Sequence, residues 1–488
     1  MNDLVIQAPR QGIALSPHIG FSDIRNLDIS SIPGVVTLNT IMVKKSAATV
    51  TNYVKWLVRD SITPTNIYAL DNDGVVYNSA NSGETWALLS DRGGTGQGIA
   101  IWKNYLFVVE DTTIDVYGPL DGAATWTDNW QTIDSDLLWH PLIVSINDNK
   151  LYGGVGKYVF SIDENTGQTF APATPATYTF TAQALDLPSA YRIKCIEELG
   201  NNLMCGTWQG TNIYDIRIGN IFPWDRSSSS FGQPIIFDEY GIHALRNTGN
   251  ILTVLAGISG TIYRCDGVNA YIIGQLPMDL RGGKYLEWYP GALCTYKNKI
   301  FFGIGNGGTT AIDGMGVYSL LQTGQGNILN LEHGISTENF GTTSAKVTAL
   351  LPVTRDTLLA AWQSSATYGI DLSSATSYDY VTDYGGYFLT PLYVVGTNLN
   401  KRTFNQIEFQ LARPLRTGEG INVEYRDDLT ASFTEVGTYD FTTFSAIESK
   451  NVTLARPLTI LPCEQIQLKI SLLGSATTSP ELRSVTLR

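Results

Sequence analysis

Residues able to do chemistry are thinly spread along this chain. Glu197 and Glu198 are adjacent carboxylates, and a carboxylate pair can serve as acid and base across a glycosidic bond. They sit in a hairpin pattern, however, and successive side chains of a strand point to opposite faces. The pair therefore cannot converge unless a bulge intervenes. Asp71-Asn72-Asp73-Gly74 starts like a calcium loop, but the later Glu that completes such a loop is missing, so a tight hairpin turn accounts for it. The glycine-rich run from Gly303 to Gly316 lacks the Lys-Ser/Thr of a phosphate loop and reads as an inter-strand connection. His18, His140, His243 and His333 are scattered. His140 and His243 begin equivalent strands and could both look into a central channel, although core or solvated positions are the simpler reading. The five cysteines, Cys195, Cys205, Cys265, Cys294 and Cys463, form no CxxC and read as reduced, buried thiols. One sharper possibility is a disulfide between Cys195 and Cys205, which flank the turn at Gly200-Asn201. No nucleophile motif, metal set or cofactor loop emerges. The expectation is a non-enzyme without cofactor.

Composition says what kind of elements must hold these groups. Charged residues are only 16% of the 488, so large cores can be buried and disorder is not expected. The 25 Tyr and 47 Gly fit sheets joined by tight turns. A net charge of −13 carries no basic footprint for phosphates and would repel nucleic acid. The opening MNDLVIQAPRQG has neither the basic start nor the apolar core of a signal peptide, and no apolar run approaches the roughly 20 residues of a membrane helix. The expectation is synthesis in the cytoplasm without membrane insertion.

A repeat organises the chain. Residues 241 to 273 read as four short strands separated by Asn/Gly-rich turns, a meander. The same grammar recurs from Val54 to Leu89, Gly98 to Tyr117, His140 to Phe160, Arg192 to Arg217, Gly291 to Leu321 and Lys346 to Leu372. That makes seven copies at a period of about 50 residues, the signature of a β-propeller. Trp208-Gln209 and Trp362-Gln363 end the second strands of their copies and are expected between blades. Residues 1–50 form an N-terminal arm in which Val35 to Val43, after Pro33-Gly34, is strand-like and suited to close the ring on the last copy. The propeller is expected over 51–388. A cleaner period-2 alternation follows, as in Ile407, Phe409 and Leu411 or Ile466, Leu468, Ile470 and Leu472, and predicts an antiparallel, jelly-roll-like β-sandwich over 389–488. The fold class is thus all-β: a β-propeller of about seven blades and a C-terminal sandwich.

Ser79, Asn81, Gly83, Thr85 and Trp86 resemble the Asp-box, with Asn in the Asp place. Asn165 to Phe170 and Asp121 to Trp126 are weaker echoes. In such a box the short polar side chain caps a turn, Gly takes a positive φ and the aromatic plugs between sheets. Asp-box propellers include sialidases, but the Phe-Arg-Ile-Pro segment is absent. The nearest text, Asp23-Ile24-Arg25, has no Pro after it.

The flanks carry a resemblance. Gly20 to Ile29, running into Ile32-Pro33-Gly34-Val35, resembles the opening of tailed-phage virion and tail proteins, whose chains begin with an I-R-N-x-D phrase and a Pro-Gly turn before a propeller. Phe404 to Phe409, Gly418 to Arg426 and Ser479 to Leu487 resemble a C-terminal module of similar proteins. The resemblance implies a structural tail component: a nozzle, adaptor or tip, homo-oligomeric around the tail axis, in contact with other virion proteins and localised in the virion. An acidic lining would let DNA pass without sticking. The alternative is a receptor- or glycan-binding tip for host attachment, with Tyr378, Tyr380, Tyr384 and Tyr387 as an interaction surface. A glycoside hydrolase is the third reading.

Overall fold

The computed structural model describes residues 3–7, 23–32, 34–46, 50–134, 139–208, 219–276, 285–307, 315–323, 326–336, 345–378, 386–397, 399–445 and 447–488. Among the described residues all regular elements are strands, apart from three single-turn 3₁₀ segments. The chain forms two compact units. One comprises Lys44–Met315 and Gly341–Leu372, and the other Met1–Val43, Gly316–Phe340 and Ser373–Arg488. The sequence pattern divides the chain near 50 and 388, whereas packing interleaves the units along it.

In the unit built around residues 44–315, five four-stranded antiparallel meanders follow in sequence order. Their first strands are Val54–Arg59, Gly98–Trp102, Leu142–Val144, Arg192–Leu199 and Ile242–Asn247. A hairpin begins at Leu293–Tyr296, and a last sheet contains Ala345–Pro352, Leu358–Ser364 and Thr367–Ser373. The turns are chemically specified. Lys103-Asn104 and Lys297-Asn298 both take positive φ at two successive residues, the pattern of a two-residue hairpin turn whose twist matches its strands.

A four-stranded sheet cannot cover both faces alone, and these sheets cover one another. Tyr68, Leu70 and Val76 of the first meander pack with Ile99, Leu106 and Val108 of the second. The second and third share Phe107, Val116, Leu151 and Phe160. The third and fourth share Tyr152, Val159, Ile196 and Phe222, and the fourth and fifth Met204, Ile221, Leu245 and Val254. Ala349, Leu359 and Ile370 of the last sheet then pack with Val54, Ala69, Tyr77 and Trp86 of the first meander. First strands neighbour one another in order, and Ala345–Pro352 returns to Val54–Arg59. Burying a large apolar side chain stabilises by about 1.5–3 kcal/mol, so these five shared cores are the principal cohesion of the unit.

Along the outer side of Thr367–Ser373 runs the chain that enters the unit. Lys44 Nζ donates to the Tyr368 carbonyl at 2.7 Å, Lys45 N to the Ile370 carbonyl at 2.9 Å, and Ile370 N to Ser46 Oγ at 3.0 Å.

The other unit contains a sheet in the order Leu4–Gln7, Leu482–Leu487, Arg402–Leu411, Thr453–Cys463. Its second sheet includes, in order, Val317–Thr323, Gly326–His333, Asp23–Arg25, Gly386–Leu389, Gln465–Leu473, Gly420–Arg426 and Thr434–Asp440. Alternation is visible in the burial of Ile407, Phe409 and Leu411 on one face of their strand. Phe409 of the first sheet meets Tyr439 of the second at 5.1 Å between ring centroids.

Candidate functional site

Four of the first strands carry the same irregularity. Val54 pairs with Asp71 and Trp56 with Leu70, leaving Lys55 as an extra residue. Lys194 is extra between Ile193 and Cys195, His243 between Ile242 and Ala244, and Thr348 between Val347 and Ala349. A β-bulge re-aims the side chain it inserts. Here it turns four equivalent positions inward, and all four are buried.

Trp139, just before the third meander, marks where they meet. Its ring lies 6.1 Å from that of Trp56 and 6.0 Å from that of Tyr289. Lys55 Nζ stands 4.3 Å and Lys194 Nζ 5.5 Å from its centroid. A residue just before the third meander that touches Lys55 and Trp56 of the first meander, Lys194 of the fourth, and Tyr289 ahead of the Leu293–Tyr296 hairpin lies on the axis that the first strands surround.

The hydrogen bonds fix the roles of these groups. Lys55 Nζ donates to Gln97 Oε1 at 2.9 Å, while Trp56 Nε1 donates to the Gln97 carbonyl at 2.9 Å. Lys194 Nζ lies 2.8 Å from His243 Nδ1, and Trp208 covers Lys194 at 4.9 Å. Burial, the largest cause, lowers all three basic groups. Lys55 falls to about 7, helped by the charge of Lys194 and opposed by Asp111. Lys194 falls to about 8, opposed by Glu287 and Cys195. His243 falls well below its ordinary value, through burial first and Lys194 second. The imidazole is therefore neutral and accepts from the Lys194 ammonium.

Beyond Trp56 the first strands line an open pocket of about 810 Å³, bordered by Leu57, Val144, Glu197, Leu245, Arg246 and Leu351 among others. Burial lifts the Glu197 carboxyl to about 7, while Arg246, 3.8 Å away, opposes the shift. Glu198 is engaged differently. It pairs with Arg226 and accepts the Ile146 amide at 2.9 Å. The two carboxylates do not converge on one point, as the alternation of a strand requires.

The other sequence candidates land as follows. In the Asp-box, Ser79 Oγ accepts the Gly83 amide at 2.9 Å and Asn81 Oδ1 accepts the Thr85 amide at 2.9 Å. Asn81 Nδ2 donates to Thr85 Oγ1 at 2.9 Å, so an amide performs both the accepting and the donating part of the turn. Gly83 takes φ +90°, and Trp86 is buried with its Nε1 donating to the Gly83 carbonyl. Asp71 spends its carboxylate on the Asp73 and Val75 amides and the Tyr77 hydroxyl, which is turn chemistry. Among the described residues no group of three or more His, Cys, Asp or Glu is placed to hold a metal ion.

The disulfide possibility is overturned. All five cysteines are free and buried. The bulge at Lys194 sets Cys195 opposite Gly206 and Cys205 opposite Ile196, so the two thiols serve different cores. Burial pushes the Cys205 thiol up to about 12, an inert state. Of the tyrosines, Tyr378 is half-buried, and Tyr380 and Tyr384 lie outside the described residues. Tyr387 is half-buried, flanked by Arg25 at 5.6 Å and Lys469 at 5.1 Å. His140 is buried, and its amide donates to the Gln97 carbonyl. Sequence reasoning singled out His243 but missed Lys55, Lys194 and Trp139.

No protein family matches the chain, and no curated protein matches it. Solved structures are similar in arrangement. A computationally designed protein, Ika8, is 16% identical with a TM-score of 0.40 over 76% of this chain and 99% of its own. The β-propeller domain of Cps50 (Swd1) from Myceliophteria thermophila is 12% identical with a TM-score of 0.45 over 69% and 99%. YCF48, bound to a D1 peptide, is 11% identical with a TM-score of 0.44 over 74% and 100%. The fold is all-β and propeller-like.

Proposed function

We propose that this chain is a structural subunit of a tailed-phage virion, acting through contacts with copies of itself and with other tail proteins rather than through catalysis. In this reading the unit built around residues 44–315 is a seven-bladed propeller, closed by the chain segment at Lys44 to Ser46. The two sheets of the other unit form a sandwich. The flanking phrases, from Gly20 to Val35 and from Phe404 to Leu487, support the virion assignment.

The observation that carries the reading is an apolar edge. Ala270–Gln275 is the outermost strand of the fifth meander, and it exposes Tyr271 (60%) and Ile272 (65%) beside Val268 (76%). An exposed apolar edge strand pairs or aggregates unless something covers it. A neighbouring subunit is the cover that a repeated structural protein supplies. Light scattering on the purified protein is expected to show an oligomer that Tyr271→Asp with Ile272→Asp converts to monomer. A monomeric parent, or absence of the subunit from reconstructions of intact particles, overturns the proposal. Any passage of DNA would run between subunits, because Trp139 and its neighbours fill the axis of this unit.

A second reading, a receptor- or glycan-binding tip, is favoured by the pocket that Glu197 and Arg246 share. Carboxylate and guanidinium groups over apolar walls suit a sugar. Binding on a glycan array, lost in Glu197→Ala, would support it.

A further inference from the structure

The axial cluster has more donors than acceptors. Among the described residues Lys194 Nζ, which carries three N–H groups, has one hydrogen-bond partner, His243 Nδ1. Lys55 Nζ carries three and, among the described residues, has one, Gln97 Oε1. Trp208 Nε1, over whose ring Lys194 stands, is buried with no acceptor among the described residues. Both lysines are more than nine-tenths buried. The acidic groups that act electrostatically on the lysines, Asp111 on Lys55 and Glu287 on Lys194, also have other partners. Glu287 pairs with Lys346 at 2.9 Å, and Asp111 accepts the Thr95 amide. Neither makes an ion pair with the axial lysines. Buried ammonium groups outside an ion pair are costly, and the charges of Asp111 and Glu287 and the cation–π contacts with Trp139 and Trp208 offset only part of that cost. Three of the four equivalent bulges bring their residues, Lys55, Lys194 and His243, to this point, so the placement belongs to the construction of the ring.

We propose that this cluster holds a small inorganic anion on the axis, a halide such as chloride, bound by Lys194 Nζ and Trp208 Nε1 with Lys55 supplying the second charge. A halide accepts several N–H bonds at once, needs little space and cancels the repulsion between the lysines. It would act as a pin between the first and fourth meanders beside Trp139.

The test replaces sodium gluconate with sodium chloride or bromide at constant ionic strength, at mildly acidic pH. The melting temperature is expected to rise by about 2–4 °C in either halide, because an ion bound only by the folded state stabilises it. Crystals grown in bromide are expected to show one anomalous peak beside Lys194 and Trp208. Lys194→Met should abolish the halide dependence, and Trp208→Phe should raise the half-saturating concentration several-fold. If Lys194→Met does not fold, the bromide peak in the parent protein decides. Equal melting temperatures in all three salts, or water alone at the position, overturns the proposal.

Discussion

At the scale of single residues, the axis presents opposed titrations. Lys55 and Lys194 are lowered from 10.5 to about 7 and about 8 by burial, so between those values and 10.5 the folded chain binds fewer protons than the unfolded one. Stability in halide-free buffer therefore rises with pH through that window, by up to about 1.4 kcal/mol per pH unit for each lysine. Glu197, raised from 4.5 to about 7, acts in the other direction: the folded chain binds more protons, and stability falls as pH rises through 4.5 to 7. Urea unfolding across pH should thus pass through a minimum near neutrality. Lys55→Met is expected to flatten the rise above pH 7, and Glu197→Gln the fall below it. A curve unchanged by both substitutions would show that these groups are solvated.

Elements explain which of these residues the sequence could reveal. The starts of all seven repeat copies lie at or within a few residues of first strands in the structure, because Asn/Gly turns and apolar runs are local signals. Ser79 to Trp86 was legible for the same reason: every bond of that turn lies within a few residues. Lys55 and Lys194 were not legible. A bulge is a mismatch between two strands, and a lysine in an apolar run reads as an outward side chain until the partner's register is known. Trp139 was missed because its neighbours come from distant meanders. The segment at Lys44 to Ser46 is intermediate, since the strand-like run read from the sequence, Val35 to Val43, ends just before it. Its bonds to Tyr368 and Ile370 give it a testable weight. Lys45→Pro removes the amide that Ile370 accepts and is expected to cost about 1–3 kcal/mol in urea unfolding, whereas Lys45→Ala should cost little. Equal effects of the two would mean that the segment contributes only its side chain.

For the whole unit, the decisive question is whether the last sheet and the first meander are one core. Leu359 lies in the last sheet and Trp86 in the Asp-box, yet both belong to the same buried cluster. The Leu359 side chain comes so close to Gly83 that a Cβ there would stand 2.8 Å from it. The turn of the first copy is therefore fitted to a residue some 276 positions further on. In a linear stack of sheets those two substitutions would be independent. In a closed ring they share one cavity and must couple. Trp86→Ala and Leu359→Ala should each destabilise by about 2–5 kcal/mol, and the double variant should differ from their sum by about 0.5–3 kcal/mol. A Leu255→Ala control in the fifth meander, far along the ring, should add to Trp86→Ala within about 0.5 kcal/mol. Strict additivity of Trp86 with Leu359 would mean that the ends do not meet. The proposed rigid subunit would then lack the closure that makes it rigid.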